Sequence, residues 1–254
     1  MSLRLVVTVR ALVLSIAFAT SSLCLMASGA EAAPPEPTGP VLNPPSRIGL
    51  LGDSISAGTG INAIPSFTSP EHSWGTGNNA GVNSVWNRML TLNPSVTRDN
   101  RAVNGARMDD IAGQANELND ATRLVLVQLG GNDLCRDTVA QMPSVAQYRQ
   151  LFSEGLDVIA TRAPNALVMV SSVPDIWNLW FLRGAPNPPN PTPSSRASTA
   201  RTFWGTGLIP CLSMVSNATS MAPEDVERRA AVRQRNIDYN QALFDECSTR
   251  LRCR

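Results

Sequence analysis

The sequence predicts an α/β domain built on a doubly wound, mainly parallel sheet. Three observations carry this. Short apolar runs recur, Arg123–Leu129 and Ala166–Ser172 above all, that are too apolar for a sheet with one wet face. Segments with helical spacing stand between and after them. Finally, Ser54, Gly105 and Asn132 each follow directly on a strand-like segment, and in such sheets ligands bind outside the carboxyl ends of the strands.

Taken in order, residues 1–32 have the layout of an export signal. Arg4 and Arg10 give a positive start, Ala11 to Ala27 is mostly apolar, and Ala30-Glu31-Ala32 offers a cleavage site, with the break expected after Ala32. A retained N-terminal anchor is the alternative, but the apolar stretch is short for a span and is interrupted by Ser21 and Ser22. Residues 33–46 form a Pro-rich leader, and the domain is expected over 47–254. Arg47–Leu51 is the first strand. Val82–Leu92 and Met108–Leu118 are helices, the second with Asp109 and Asp110 in its first turn, where the helix dipole favours negative charge. Strand 123–129 is followed by a long helix over 145–162, whose apolar side is Tyr148, Leu151, Phe152, Leu156 and Ile159. Strand 166–172 follows. Pro223 and Glu224-Asp225 open a last helix that runs to about Cys247. Between Pro174 and Met221 no regular element is expected, and Gly184–Pro193 is too rich in Pro for helix or central strand. Its aromatics, Trp177, Trp180, Phe181, Phe203 and Trp204, either line a groove for a ligand or form a satellite apolar cluster.

Composition excludes several chemistries. With 21 basic and 20 acidic residues the chain has no electrostatic footprint for nucleic acid or an anionic membrane surface. Every basic residue is Arg, so a P-loop lysine, a Schiff-base lysine and a Ser-Lys dyad are ruled out. Beyond the signal no segment is long and apolar enough to span a bilayer. Four cysteines follow residue 32: Cys135, Cys211, Cys247 and Cys253. An even number in an exported chain points to disulfides, with three possible pairings. Cys247 and Cys253 are close enough for a small terminal loop, which would leave Cys135 to pair with Cys211. One distant histidine and no paired C-x-x-C argue against a metal site, and no cofactor is expected.

The residues with chemistry lie in Gly52-Asp53-Ser54, Val103-Asn104-Gly105 and Gly130-Gly131-Asn132-Asp133. A serine on a sharp turn after a strand can be presented as a nucleophile. A glycine at a strand end can leave its N–H free, and an asparagine amide can donate to an oxyanion. Each segment taken singly is also what an ordinary turn looks like. In this order the three blocks resemble those of the SGNH/GDSL ester hydrolases, and Ser73-Trp74-Gly75-Thr76-Gly77 with Val82-Asn83-Ser84 resembles one branch of them. The resemblance runs from about Arg47 to the end of the chain. It implies a three-layer α/β/α, flavodoxin-like fold and a secreted esterase or lipase acting on a small-molecule or lipid ester. Ser54 would be nucleophile and oxyanion donor, and the Gly105 N–H and the Asn132 side chain would complete the oxyanion hole.

One block of the resemblance is missing. These hydrolases carry an Asp-x-x-His after a final strand, and here Arg252-Cys253-Arg254 resembles only the approach to that strand. The expectation is a C-terminally shortened member without the last strand and a helix, and with impaired catalysis, since an Asp-oriented His is what makes a neutral serine nucleophilic. The alternative is a non-catalytic ligand-binding protein, or a truncated product, on the same fold. The one histidine, His72, is expected to face the surface or a ligand rather than to replace the base, because its acidic neighbour Glu71 is adjacent in sequence.

Overall fold

The computed structural model describes residues 43–60, 67–183, 185–186 and 211–254. The expected export signal, most of the Pro-rich leader, Phe203 and Trp204 lie outside the described residues. The elements are β1 (Arg47–Gly52), α1 (Ser54–Ala57), α2 (Val85–Leu90), β2 (Thr97–Asn100), α3 (Ile111–Asn116), β3 (Leu124–Gln128), α4 (Gly131–Leu134), α5 (Val145–Arg162), β4 (Leu167–Val170), α6 (Ile176–Arg183), α7 (Leu212–Val215) and α8 (Pro223–Ser248). Single 3-10 turns are formed by Pro70–His72, Met108–Asp110 and Val139–Gln141.

The four strands form one parallel sheet in the order β2-β1-β3-β4. Register sets Ile48 beside Leu124 and Leu51 beside Val127, and Leu124 beside Leu167. One face therefore carries Leu51, Val125, Val127 and Val168, which pack with Ile111, Phe152, Leu156, Tyr239 and Leu243 from α3, α5 and α8. The other carries Ile48, Leu50, Leu124 and Leu126, covered by Trp74, Val85, Trp86 and Met89. Helices on both faces of a parallel sheet make the three layers that the apolar runs require.

The long helices form where the spacing puts them. In α5, Ser144 caps by accepting the Gln147 N–H at 3.1 Å, and Tyr148, Phe152, Leu156 and Ile159 are buried. In α8, Pro223 occupies the first turn with Glu224 and Asp225. Tyr148 and Tyr239 join the two helices as stacked rings 3.9 Å apart. Residues 252–254 continue past α8 and pair along β4: the Val168 N–H donates to Arg252 O at 2.7 Å and the Arg254 N–H to Val168 O at 2.9 Å. Two disulfides close, Cys135–Cys211 and Cys247–Cys253.

Four local expectations change. The helix expected over 82–92 is only the six residues of α2, started by Ser84, whose hydroxyl accepts the Asn87 N–H. The polar segment Thr97–Asn100 is a strand. The span from Pro174 to Met221 contains α6 and α7. Strand β4 is not buried throughout, because the cluster on its second face ends at Leu167 and leaves Met169 47% exposed. Among the described residues no helix is long and apolar enough to cross a membrane.

Candidate active site

At the end of β1, Gly52 is held by a side chain from another element as well as by the Val103 N–H, which donates to Gly52 O at 3.0 Å. The Gly52 N–H donates to Gln114 Oε1 at 2.8 Å, and Gln114 Nε2 donates to Gly52 O at 2.9 Å. The chain then turns into α1. The buried Asp53 caps that turn, its carboxylate accepting the Ile55 N–H at 2.9 Å, and burial pushes its pKa up. Ser54 is the first residue of α1 and is half-buried. The Ser73-Trp74 segment lies directly beneath this turn. Ser73 Oγ donates to Ser56 O at 2.7 Å, and Trp74 Nε1 donates to Ser56 Oγ at 3.1 Å. Ser56 Oγ in turn donates to Gln128 Oε1 on β3 at 3.1 Å.

Asn132 stands on α4, one turn beyond β3. Its neighbour Gly130 has φ +119, a left-handed conformation that glycine adopts without strain. Consecutive side chains of α4 grip the 105–108 loop. Asn132 Nδ2 donates to Ala106 O at 2.8 Å, and the Asp133 carboxylate accepts the Met108 N–H at 3.0 Å. An asparagine amide has two N–H bonds, so one stays available after the bond to Ala106. Gly105 heads this loop with φ +82 and is exposed, with open space where a side chain would be.

Ser54 and Asn132 line one cavity of about 280 Å³, with Asp53 and Ile55 beside them. Gly105 does not line it; its link to the site runs through Ala106 O. His72 does not line it either. Its Nε2 faces Asn79 Nδ2 at 3.0 Å, and the Glu71 carboxylate lies 3.3 Å from Nδ1 without hydrogen-bond geometry. The adjacent acid is thus nearby but poorly directed. Two supporting residues, Gln114 and Gln128, escaped the sequence reading, and Asp133 stood in the third block without an assigned role. The only sequence signal for any of them is that Asp133 directly follows Asn132.

Burial pushes the Asp133 carboxyl up to about 6, reinforced by Asp109 and opposed by the Met108 N–H and Arg107. The folded carboxyl thus holds its proton more tightly than the unfolded one. The stability it contributes is present below about pH 4 and is lost as pH rises through about 6, by about 3 kcal/mol in all. Asp133→Asn keeps an oxygen for the Met108 N–H and removes the charge. Urea unfolding from pH 4 to 8 should show the parent losing about 3 kcal/mol relative to this variant. Parallel profiles for the two proteins would contradict the assignment.

The comparisons with known proteins bear on the family. Over 230 residues the chain is 27% identical to the membrane-associated phospholipase B1 of Mus musculus, a match covering 76% of this chain and 14% of that protein. The Homo sapiens phospholipase B1 is 28% identical over 170 residues, covering 52% of this chain and 12% of that one. The chain therefore spans a small fraction of the length of the curated relatives it matches. Among solved structures, phospholipase A1 from Streptomyces albidoflavus NA297 aligns with a TM-score of 0.46 at 18% identity, over 81% of this chain and 76% of that one. The extracellular lipase from Streptomyces rimosus aligns with a TM-score of 0.44 at 20% identity, over 80% and 76%. A family model described as GDSL-like lipase/acylhydrolase matches residues 50–243, and the chain belongs to that family.

Proposed function

We propose that the protein is an exported ester hydrolase in which Ser54 is the nucleophile and the Ser54 N–H, the Gly105 N–H and the Asn132 amide hold the oxyanion. The observation that carries this reading is the shared cavity of Ser54 and Asn132, with Asn132 tied to the Gly105 loop through Ala106 O. In the reaction Ser54 Oγ attacks the ester carbonyl, its proton leaves, and the negative charge that develops on the carbonyl oxygen is met by preorganised N–H donors. Residues 1–32 would direct export, and two disulfides suit an oxidising compartment.

Proton removal is the weak step. The one histidine of residues 1–254 is His72, which does not line the cavity of Ser54. The donors alone retain some rate over water, so this chain turns over esters slowly, with hydroxide or water taking the Ser54 proton. That same placement of His72 favours a second reading, in which the cleft binds its ligand without turnover. Hydrolysis of p-nitrophenyl butanoate by the parent, Ser54→Ala and His72→Ala separates them. Expected is a slow rate that rises with pH, is lost in Ser54→Ala and keeps its profile in His72→Ala. Equal loss in both variants would make His72 the base. A rate unchanged by Ser54→Ala would overturn the nucleophile.

A further inference from the structure

We infer that Asn104-Gly105 is a self-modification site, at which the protein converts its own Asn104 to aspartate and isoaspartate and thereby disables the Gly105 N–H. The inference rests on the ester-hydrolase reading only for that last consequence. Asparagine is one of the thermolabile residues, because the backbone nitrogen of the next residue can attack its side-chain amide carbon. Glycine shields that nitrogen least, having no Cβ. Asn104-Gly105 is the only Asn-Gly pair in the 254 residues.

The fold holds both ends of this turn and leaves its tip open. The Val103 N–H donates to Gly52 O at 3.0 Å, the Ala106 N–H donates to Val103 O at 3.1 Å, and Ala106 O accepts from Asn132 Nδ2 at 2.8 Å. Asn104 and Gly105 are both exposed. Among the described residues neither the Asn104 side chain nor the Gly105 N–H has a hydrogen-bond partner. Gly105 has φ +82, and a Cβ added there would meet nothing within 4 Å, so no neighbour crowds its nitrogen. Other asparagine side chains are held: Asn79 on His72, Asn100 on Ser56 O, Asn217 on Asp225 and Asn240 on Val173. In the reaction the Gly105 nitrogen loses its proton and bonds to Asn104 Cγ, and the side-chain nitrogen leaves as ammonia, closing a five-membered imide. Water then opens the imide at either carbonyl and returns a proton to the Gly105 nitrogen. The net change is one amide and one water to one carboxylate and one ammonium ion. In the imide the nitrogen has no N–H. In the isoaspartyl product the chain runs through Cγ, one methylene longer, and a new carboxylate stands beside Gly105. Either way the N–H no longer meets a developing oxyanion.

Ageing the whole protein in mildly alkaline and mildly acidic buffer tests this. Trypsin cuts after Arg101 and Arg107 and releases Ala102–Arg107. With ageing that peptide should gain the mass difference between an amide and an acid, and should accept methyl groups from isoaspartyl methyltransferase. Conversion should be faster in the alkaline buffer, since the nitrogen attacks after losing its proton. Anchoring the ends of the turn withholds about one residue's worth of backbone freedom, so the folded protein should convert about tenfold more slowly than the free hexapeptide of the same sequence. Hydrolysis of p-nitrophenyl butanoate should fall in step with conversion. Asn104→Gln changes an exposed residue without left-handed φ and would have to close a six-membered ring. It should start at the parent rate, keep that rate on ageing and show no mass change. A protein that stays unmodified while the free peptide converts fully, or that changes first at another asparagine, overturns the site. Conversion that leaves the esterase rate intact overturns the disabling of Gly105. Conversion in a parent that never hydrolyses the ester leaves the site standing and overturns the hydrolase reading instead.

Discussion

Replacing Cys135 and Cys211 together by serine is expected to lower the unfolding free energy by about 4 kcal/mol. The bridge joins residues 76 positions apart, so in the unfolded chain it closes a long loop and removes much of that chain's freedom. Cys247–Cys253 closes a loop only 6 positions apart, and the same loop argument gives it about 2 kcal/mol. Urea unfolding of the two double-serine variants measures the difference directly. Equal losses would show that loop length does not govern either bridge. The long bridge has a second expected effect. It ties α7 to the end of α4, where among the described residues the Ser213 hydrogen bonds to Leu134 and Arg136 would remain, so ligand affinity at Ser54 should fall along with stability.

Gly130→Ala is expected to cost about 3–5 kcal/mol, from backbone strain and overpacking together. At φ +119 an added Cβ would sit 2.5 Å from Tyr148 Oη and 2.6 Å from Val173 Cγ2. Tyr148 cannot give way. It is fully buried, stacked on Tyr239, and its hydroxyl donates to Leu129 O at 3.2 Å. The strain would fall where α4 begins, two residues before Asn132, so activity or ligand binding should drop with stability. Gly105→Ala is the internal control. Its φ of +82 is also left-handed, but the space around the new methyl is open, so only the conformational term remains, about 1 kcal/mol. Thermal unfolding that ranks the two variants equally would mean that the contact with Tyr148 is not what fixes Gly130.

The fold was legible where burial writes a pattern. Strands β1, β3 and β4 are runs apolar on both faces, and α5 repeats its apolar residues at helical spacing. Strand β2 was not legible, because Thr97-Arg98-Asp99-Asn100 is an edge strand with no fully buried side chain. Helix α6 was hidden by its setting. Trp177, Trp180 and Phe181 do have helical spacing, but the Pro-rich segment after them outweighed that signal. At the site, Ser54 and Asn132 stand out because each follows a strand in a motif of its own. Gln114 does not, since its role is a pair of bonds to backbone 62 residues away, and nothing in the local sequence encodes that. Asp133 is similar: its bond to the Met108 N–H exists only once β3 and the 105–108 loop are side by side.

The order β2-β1-β3-β4 also constrains how the molecule is assembled in time. No two adjacent strands form a hairpin, and each pairing encloses at least one whole helix. Loop closure must therefore precede any stabilising strand contact, a topology that makes for slow folding. The helices can form locally while β1 waits for a partner from far along the chain. Ser54 and Asn132, at the ends of β1 and β3, come together only when that pair zips. The cleft cannot exist before that pair forms, and a nascent chain exposes apolar strands until it does.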